Sequence, residues 1–546
     1  MKNNNFLLYY ILIILSIAVY ISAYKVDIMD VDAAQYANIS REMSISNSFL
    51  QVYEQGKDYL DKPPFLFWVS ALSIKFFGAT NFAYKFPSIC IFIFALYSLF
   101  LFVKKLYDTE TALLSVLILC SSQAIFLMTN DVRTDLILMS LTLISIAHIY
   151  LYTQNKKVVD FIIGFVALAF GLMSKGPICL IAVSASLGIH FLLKKDWKNI
   201  FNYKYLFGIG IVLILLLPMC WGLYHQFDMH PEKTVYGIES PSGLKFFFWT
   251  QSFGRITGES SWANNMGFHF LFTNILWAFF PWSLVFIVAF IHNIYTIFKN
   301  KTTNEYISIG GFILIYIALG SSKYQLPHYI FICFPLIAII TANYLKQHSN
   351  IFSSILLLIS ILLALITPLF VINFVFTSNI TYWYLFIFLV IVLAISIYFY
   401  QKKKELNNHK NLIVICAFFA ISLNIFLTHH FYKNLLEYQA SSMIGKYISK
   451  NKIDAKDIDT YKLYDGINAI HYYAQQVIIS DNWAEPTKKY VITTLDGWNE
   501  LKQKNKEVVV IKKFQSFNIT KLNKDFLYEK TRAQKLKYYY LVSLRN

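Results

Sequence analysis

Between residues 6 and 430 the chain alternates long apolar runs with short polar turns. Most runs approach the roughly 20 residues that cross a bilayer core as a helix. They are rich in Phe, Ile and Leu and lack the two-residue alternation of a membrane β-barrel strand. The pattern predicts thirteen spans, at about 6–24, 83–103, 110–128, 135–152, 158–174, 177–193, 205–222, 268–298, 305–320, 327–345, 351–373, 381–400 and 411–430. A further run, 64–78, has 15 residues with Lys75 near its end and suits an interfacial or re-entrant helix. After residue 430 the long runs stop. Short segments with strand composition (Tyr461–Tyr464, Val477–Ser480, Tyr490–Thr494, Val508–Lys512 and Tyr538–Val542) alternate with helix-like stretches. The expected fold is an all-α polytopic membrane protein over 1–430 with a small soluble α/β domain over 431–546.

Charge orients this pattern. Only 14% of residues are charged, against roughly 25% in soluble chains. The net charge of +17 does not mark a nucleic-acid binder, because the lysines cluster in alternate short loops. With a cytoplasmic N-terminus and 64–78 not crossing, one set of short loops carries fifteen lysines. The opposite set carries only Arg133, Lys175 and Lys323. This positive-inside bias places loops 25–82 and 223–267 and the C-terminal domain outside. Residues 6–24 read as a retained span rather than a cleaved signal peptide. The six cysteines fall inside apolar runs with no metal or disulfide spacing.

The minority charges carry the chemistry. Arg133 stands in "TNDVRTD" between Asp131 and Asp135, Lys175 in "MSKGP", and Lys323 in "SSKYQLPHY" with Tyr324 and His328. Lys62 in "YLDKPP" and Arg255 in "FGRITGES" join them, and Asp30 and Asp32 follow the first span. Charges at a membrane face cost insertion energy, so a functional role is the default. Several cations there suit a lipid-linked phosphate and its developing charge as a leaving group. One carboxylate beside them suits a general base on an acceptor hydroxyl. Asp32 also stands three residues before Gln35, the spacing of a capping box, and the stretch from Ala33 to Met43 suits a helix lying on the membrane surface.

"DVDAAQYANISREM" and "DYLDKPPFLFWVSALSIKFFGATNFAYKFPS", followed by "VRTDLILM", "GLMSKGP", "FFPWSL" and "SSKYQLPHYIFICFPL", resemble the bacterial aminoarabinose transferase and protein O-mannosyltransferase superfamily. Its members are integral-membrane glycosyltransferases of the GT-C type that use polyprenyl phosphate sugars. The resemblance covers most of residues 25–345. It implies that Asp32 is the catalytic carboxylate and that Lys62 contacts the donor phosphate. It also implies that Asp135 and Lys175 lie near the same cavity and that Lys323 and Tyr324 lie by the lipid phosphate. Arg255 is a further phosphate candidate, and Asp30, Tyr36, Asp61, Arg133 and His328 are supporting ones. Gln35 stands where the family has Arg. Asp61 stands where it has Glu, one methylene shorter, and is where a divalent cation would bind; no other cofactor is implied.

The expected function is transfer of a hexosyl or pentosyl group from a polyprenyl phosphate donor to a lipid (lipid A included), glycan or protein acceptor. The expected place is the periplasmic face of the bacterial inner membrane. A transporter or flippase of a lipid-linked sugar is the alternative, since many spans with charges at one face fit it too. The chain shows no internal repeat of the kind many transporters carry.

Overall fold

A computed structural model describes residues 4–251, 254, 264, 266–300, 303–377, 380–403, 408–464, 467–504 and 507–545. Among these residues, nine helices are long and apolar enough to cross a membrane: Phe6–Lys25, Asn81–Leu106, Thr134–Asn155, Val158–Lys175, Trp197–Asp228, Pro327–Gln347, Ile351–Val375, Ile380–Lys402 and His409–Tyr438. A tenth is the pair Thr109–Cys120 and Gln123–Asn130, bent by 52°. Three shorter apolar helices, Ile178–Leu193, Ser283–Lys299 and Ile307–Gly320, occupy the other expected positions. The multi-pass helical architecture is thus present: length and composition by themselves identify nine or ten crossings among the described residues, and the three shorter helices stand where the expected count of thirteen puts the others. The run 64–78 forms the 13-residue helix Phe65–Phe77, shorter than a bilayer crossing.

The expected span over 268–298 is divided into Phe270–Ala278 and Ser283–Asn300. Pro281, which has no N–H for a helical bond, stands in the gap. Trp282 beside it is fully buried and donates from Nε1 to Ser121 Oγ at 2.9 Å, at the bend of the broken pair. Thr134–Asn155 is the centre of the bundle, with its apolar window wholly enclosed by neighbouring helices.

The stretch after the first span is a helix, Asp32–Ser46, enclosed by protein on more than one side. Nine of its residues, from Ala33 to Met43, are buried. It packs against Phe65–Phe77 on one side and against the helix Asn468–Ala474 of the C-terminal domain on another. Its small residues Ala33, Ala34 and Ala37 permit that close approach on two faces.

The C-terminal domain contains a four-stranded sheet in the order Ile458–Tyr461, Tyr490–Thr494, Lys537–Arg545, Glu507–Ser516. The first pair is parallel and the others are antiparallel. The first strand begins earlier than the expected Tyr461–Tyr464. Val477–Ser480 is not a strand: Thr460 N–H donates to the Ser480 hydroxyl at 2.9 Å and Ile478 N–H to His471 Nδ1 at 3.2 Å, so no backbone ladder forms there.

This region is fastened to the stretch that follows the first span. Asp30 Oδ1 accepts from Ala469 N–H at 3.1 Å, its Oδ2 accepts from the Ser441 hydroxyl, and its N–H donates to Gln439 Oε1 at 2.9 Å. Tyr473 Oη accepts from Ile28 N–H and donates to Asn81 Oδ1, both at 2.7 Å. Burial pushes the Asp30 carboxyl up to about 7, although both bonds to it favour the ionised form. A raised carboxyl stabilises the fold below its unfolded value near 4 and loses that contribution as pH climbs through about 7. Asp30→Asn, which can still accept from Ala469 and donate to Ser441, is expected to flatten the decline in melting temperature between those pH values. A melting profile with the wild-type slope would refute this. For orientation, a reporter fused after Lys402 is expected to read cytoplasmic and one after Lys450 external, as the charge bias requires.

Candidate active site

Asp32 is the first residue of its helix, with Val31 at the N-cap position, and no side chain caps that end. Gln35 does not return to the helix start either; its Nε2 donates to Glu54 Oε1 at 2.7 Å. The expected capping box is therefore absent, because Asp32 lies inside the helix rather than at its cap. Its carboxylate turns to a residue 101 positions away: Arg133 Nη1 donates to Asp32 Oδ2 at 2.7 Å, and Arg133 Nη2 lies 2.9 Å from Asp131 Oδ2. Burial works against the Arg133 charge, but Asp131 and Asp32 outweigh it and hold the guanidinium firmly protonated. The Asp32 side chain remains 45% exposed, open to an incoming group.

A second cluster lies beside the first. Val158–Lys175 ends at Gly176, whose φ of 85° reverses the chain, and Pro177 opens the next helix. The "SKGP" turn thus fixes Lys175 at the last residue of its helix. There its Nζ meets Asp135 Oδ1 at 2.5 Å and lies 4.8 Å from the Tyr329 ring centroid. His328 Nε2 lies 3.9 Å from Asp135 Oδ2. Asp135, expected beside Arg133, is thus committed to Lys175 instead. Lys62 Nζ lies 2.6 Å from Asp61 Oδ2, in a stretch that Pro63 and Pro64 stiffen ahead of the helix Phe65–Phe77.

Lys62, Asp135, Lys175, Gln251, His328 and Tyr329 line one cavity of about 110 Å³, closed on other sides by Leu138, Ile178, Ile181, Leu319 and Ile332. Tyr36 joins the two clusters. Burial raises its hydroxyl well above the usual range, with Asp32, Asp61 and Asp135 adding and Arg133 opposing. A larger cavity, about 440 Å³, opens beside Asp32 between Asp30, Val31 and the C-terminal residues Tyr464, Asp496, Asn518, Lys537 and Tyr538.

Lys62, Asp135, Lys175 and His328 are thus brought together, with Asp32, Tyr36 and Arg133 adjacent. Asp30 serves the domain junction rather than the cationic cavity. Lys323 and Tyr324 do not line that cavity; they sit on the turn after Ile307–Gly320, where Asn264 N–H donates to the Lys323 carbonyl at 3.2 Å. Arg255 lies outside the described residues. Gln251, which carries no charge and stands in no motif, and Tyr329, the uncharged last residue of "SSKYQLPHY", are additions to the expected set; Gln251 Nε2 donates to the Asp61 carbonyl and reaches Asp61 Oδ1 at 3.1 Å. Among the described residues no three His, Cys, Asp or Glu side chains converge as metal ligands, and Asp61 faces Lys62 and Gln251.

Three comparisons bear on this arrangement. The family model for dolichyl-phosphate-mannose-protein mannosyltransferase matches residues 61–222, a segment that holds Lys62, Arg133, Asp135 and Lys175. Over 325 residues the chain is 26% identical to the undecaprenyl phosphate-alpha-4-amino-4-deoxy-L-arabinose arabinosyl transferase of Wigglesworthia glossinidia brevipalpis, covering 58% of this chain and 55% of that protein. The match thus spans about half of that relative's length. It is 25% identical over 446 residues to an uncharacterized protein of Aquifex aeolicus, covering 81% and 82%. The fold is that of ArnT from Cupriavidus metallidurans bound to undecaprenyl phosphate, with a TM-score of 0.75 at 14% identity over 97% of both chains. The resemblance to polyprenyl-phosphate-sugar glycosyltransferases read from the motifs is therefore shown in sequence and in fold.

Proposed function

We propose that the chain is an integral-membrane glycosyltransferase that moves a sugar from a polyprenyl phosphate to an acceptor hydroxyl on the outer face of the bacterial cytoplasmic membrane. One observation carries the reading: Lys62 and Lys175 meet in a cavity walled by aliphatic side chains, directly beside an accessible carboxylate. The cations suit a phosphate, the aliphatic wall suits the lipid that bears it, and the carboxylate suits a base. The relatives named as undecaprenyl phosphate-dependent transferases and the neighbour bound to undecaprenyl phosphate support the donor class.

In this reading Asp32 takes the proton of the acceptor hydroxyl as its oxygen attacks the anomeric carbon. The bond from that carbon to the phosphate oxygen breaks, and polyprenyl phosphate leaves with the electron pair. Lys62 and Lys175 neutralise the growing charge on the phosphate. Arg133, held between Asp131 and Asp32, orients the base. The acceptor approaches through the cavity between Val31 and the C-terminal domain. That domain, residues 431–546, and thirteen spans with the C-terminus outside are parts of the same proposal.

The test uses purified full-length protein in nanodiscs with a radiolabelled undecaprenyl phosphate sugar and extracted envelope lipids or glycoproteins as acceptors. Label passing to a new molecule supports the transferase. Label that only changes leaflet identifies the alternative, a lipid-linked sugar transporter.

A further inference from the structure

Two large aromatic rings of the C-terminal region stand together on its surface. Tyr464 is 52% exposed and Trp483 is 63% exposed. Their ring centroids lie 5.9 Å apart with the planes at 60°, so the rings form two walls of a shallow corner. Apolar side chains scattered singly over a surface need no explanation, but an adjoining pair of this size does. Neither ring fills a core. The two faces of the sheet are covered by other groups, Ile492, Tyr539 and Leu541 on one side and Val491, Tyr540 and Val542 on the other.

The pair is nevertheless fixed in place. Asn482 Oδ1 accepts from Leu463 N–H at 2.9 Å, and Asn482 Nδ2 donates to the Leu463 carbonyl at 2.8 Å. Lys462 N–H donates to the Asn482 carbonyl at 2.8 Å. Asp481 Oδ1 accepts from Trp483 N–H at 3.0 Å. The residues just before the two rings are thus clamped to each other. Aromatic rings held in position with no core to fill offer a ligand contact area at little entropic cost. They stand at the cavity of about 440 Å³ that opens beside Asp32, because Tyr464 is part of its wall. That volume lies within the roughly 300–1,000 Å³ of small-molecule sites.

We propose that this corner and the cavity behind it bind a saccharide, the glycan portion of the acceptor, with Tyr464 and Trp483 as the stacking surface. A sugar ring has an apolar face of C–H groups, which packs on an aromatic ring, and a rim of hydroxyls that both donate and accept. Tyr538, Asn518 and Thr494 on the cavity wall answer such hydroxyls. The charges there balance, Asp30 and Asp496 against Lys535 and Lys537, and Lys535 already lies 3.4 Å from Asp525. A phosphate calls for an excess of cations, which the cavity of Lys62 and Lys175 supplies and this one does not. The acceptor role rests on the function proposed above; saccharide binding does not.

Purified full-length protein in nanodiscs, with no donor present, is presented to an array of neutral, amino-substituted and phosphorylated oligosaccharides and to an array of peptides. The saccharide that binds best is then titrated by calorimetry. The expected result is saturable binding of unphosphorylated saccharides, weakened at least about tenfold by Tyr464→Ala or by Trp483→Ala. Trp483→Phe, which keeps a flat apolar ring, should retain most of the affinity. Melting should not move in any of the three variants, since neither ring fills a core. Binding confined to phosphorylated forms or to peptides, no saccharide bound at all, or an affinity indifferent to both alanine variants would overturn the proposal. None of these readouts needs turnover. A protein that binds saccharide but transfers nothing keeps this site and loses the transferase, and one that transfers sugar without saccharide affinity does the reverse.

Discussion

Asp32→Asn should leave a folded, inserted protein that transfers sugar about 10²- to 10⁴-fold more slowly, the usual contribution of a positioned general base. Stability should change little. The Asp32 carboxylate is 45% exposed, where an ion pair contributes about 1 kcal/mol or less, and Arg133 keeps Asp131 as a partner. The substitution removes basicity at nearly constant shape. Single-turnover rates with saturating donor, alongside a melting curve, check it. Near-normal turnover would move the base elsewhere, and Asp135, already committed to Lys175, would be the first group to examine.

Loss of the phosphate contacts should be the next largest effect, and the two lysines should fail differently. Lys62→Ala removes a cation whose partner Asp61 is partly exposed, so the fold should tolerate it. Donor affinity should fall by about 1.5–3 kcal/mol, roughly 10- to 150-fold, the range for a hydrogen bond to a charged group. Lys62→Arg should recover part of this, since charge is kept while a planar fork replaces a compact ammonium. Lys175→Ala instead strands Asp135, whose side chain is 8% exposed, and breaking a buried pair costs about 3–5 kcal/mol. Lys175→Ala/Asp135→Asn should regain much of that stability without regaining donor binding. Donor titrations and melting curves on all four variants test the pattern. An unchanged donor dependence for Lys62→Ala would take it out of the site.

The periodic part of the architecture was legible because membrane crossing imposes long apolar runs and charge sorts the loops between them. What escaped were features set by partners distant in sequence. Pro281 breaks an apolar run that hydropathy reads as continuous, and only the burial of Trp282 against Ser121 shows why the break is stable. The Asp32–Ser46 helix reads as amphipathic, yet it is enclosed because a domain more than 400 residues away closes over it through Ala469 and Asp30. Strand composition located Tyr490–Thr494, which sits between two partners, but misled at Val477–Ser480, which has none. In the site, motif spacing found Lys62, Lys175, Asp135 and His328. The partner choices of Arg133 and Asp135 depend on how three helices converge, and no local pattern encodes them.

The pairing of Lys62 with Asp61 and Lys175 with Asp135 also bears on turnover. Under the proposed function, loading the donor is an exchange: the phosphate has to displace carboxylates that already hold both ammonium groups, so occupancy depends on a small difference between two strong attractions. The same carboxylates stand ready to recapture the lysines once the sugar has gone. The spent carrier, more negatively charged than the donor, would otherwise be the tightest ligand of the cavity. On the proposed reaction a resident competitor of this kind guards against product inhibition, and clearance of the lipid phosphate, rather than bond breaking, is the step expected to respond most to salt.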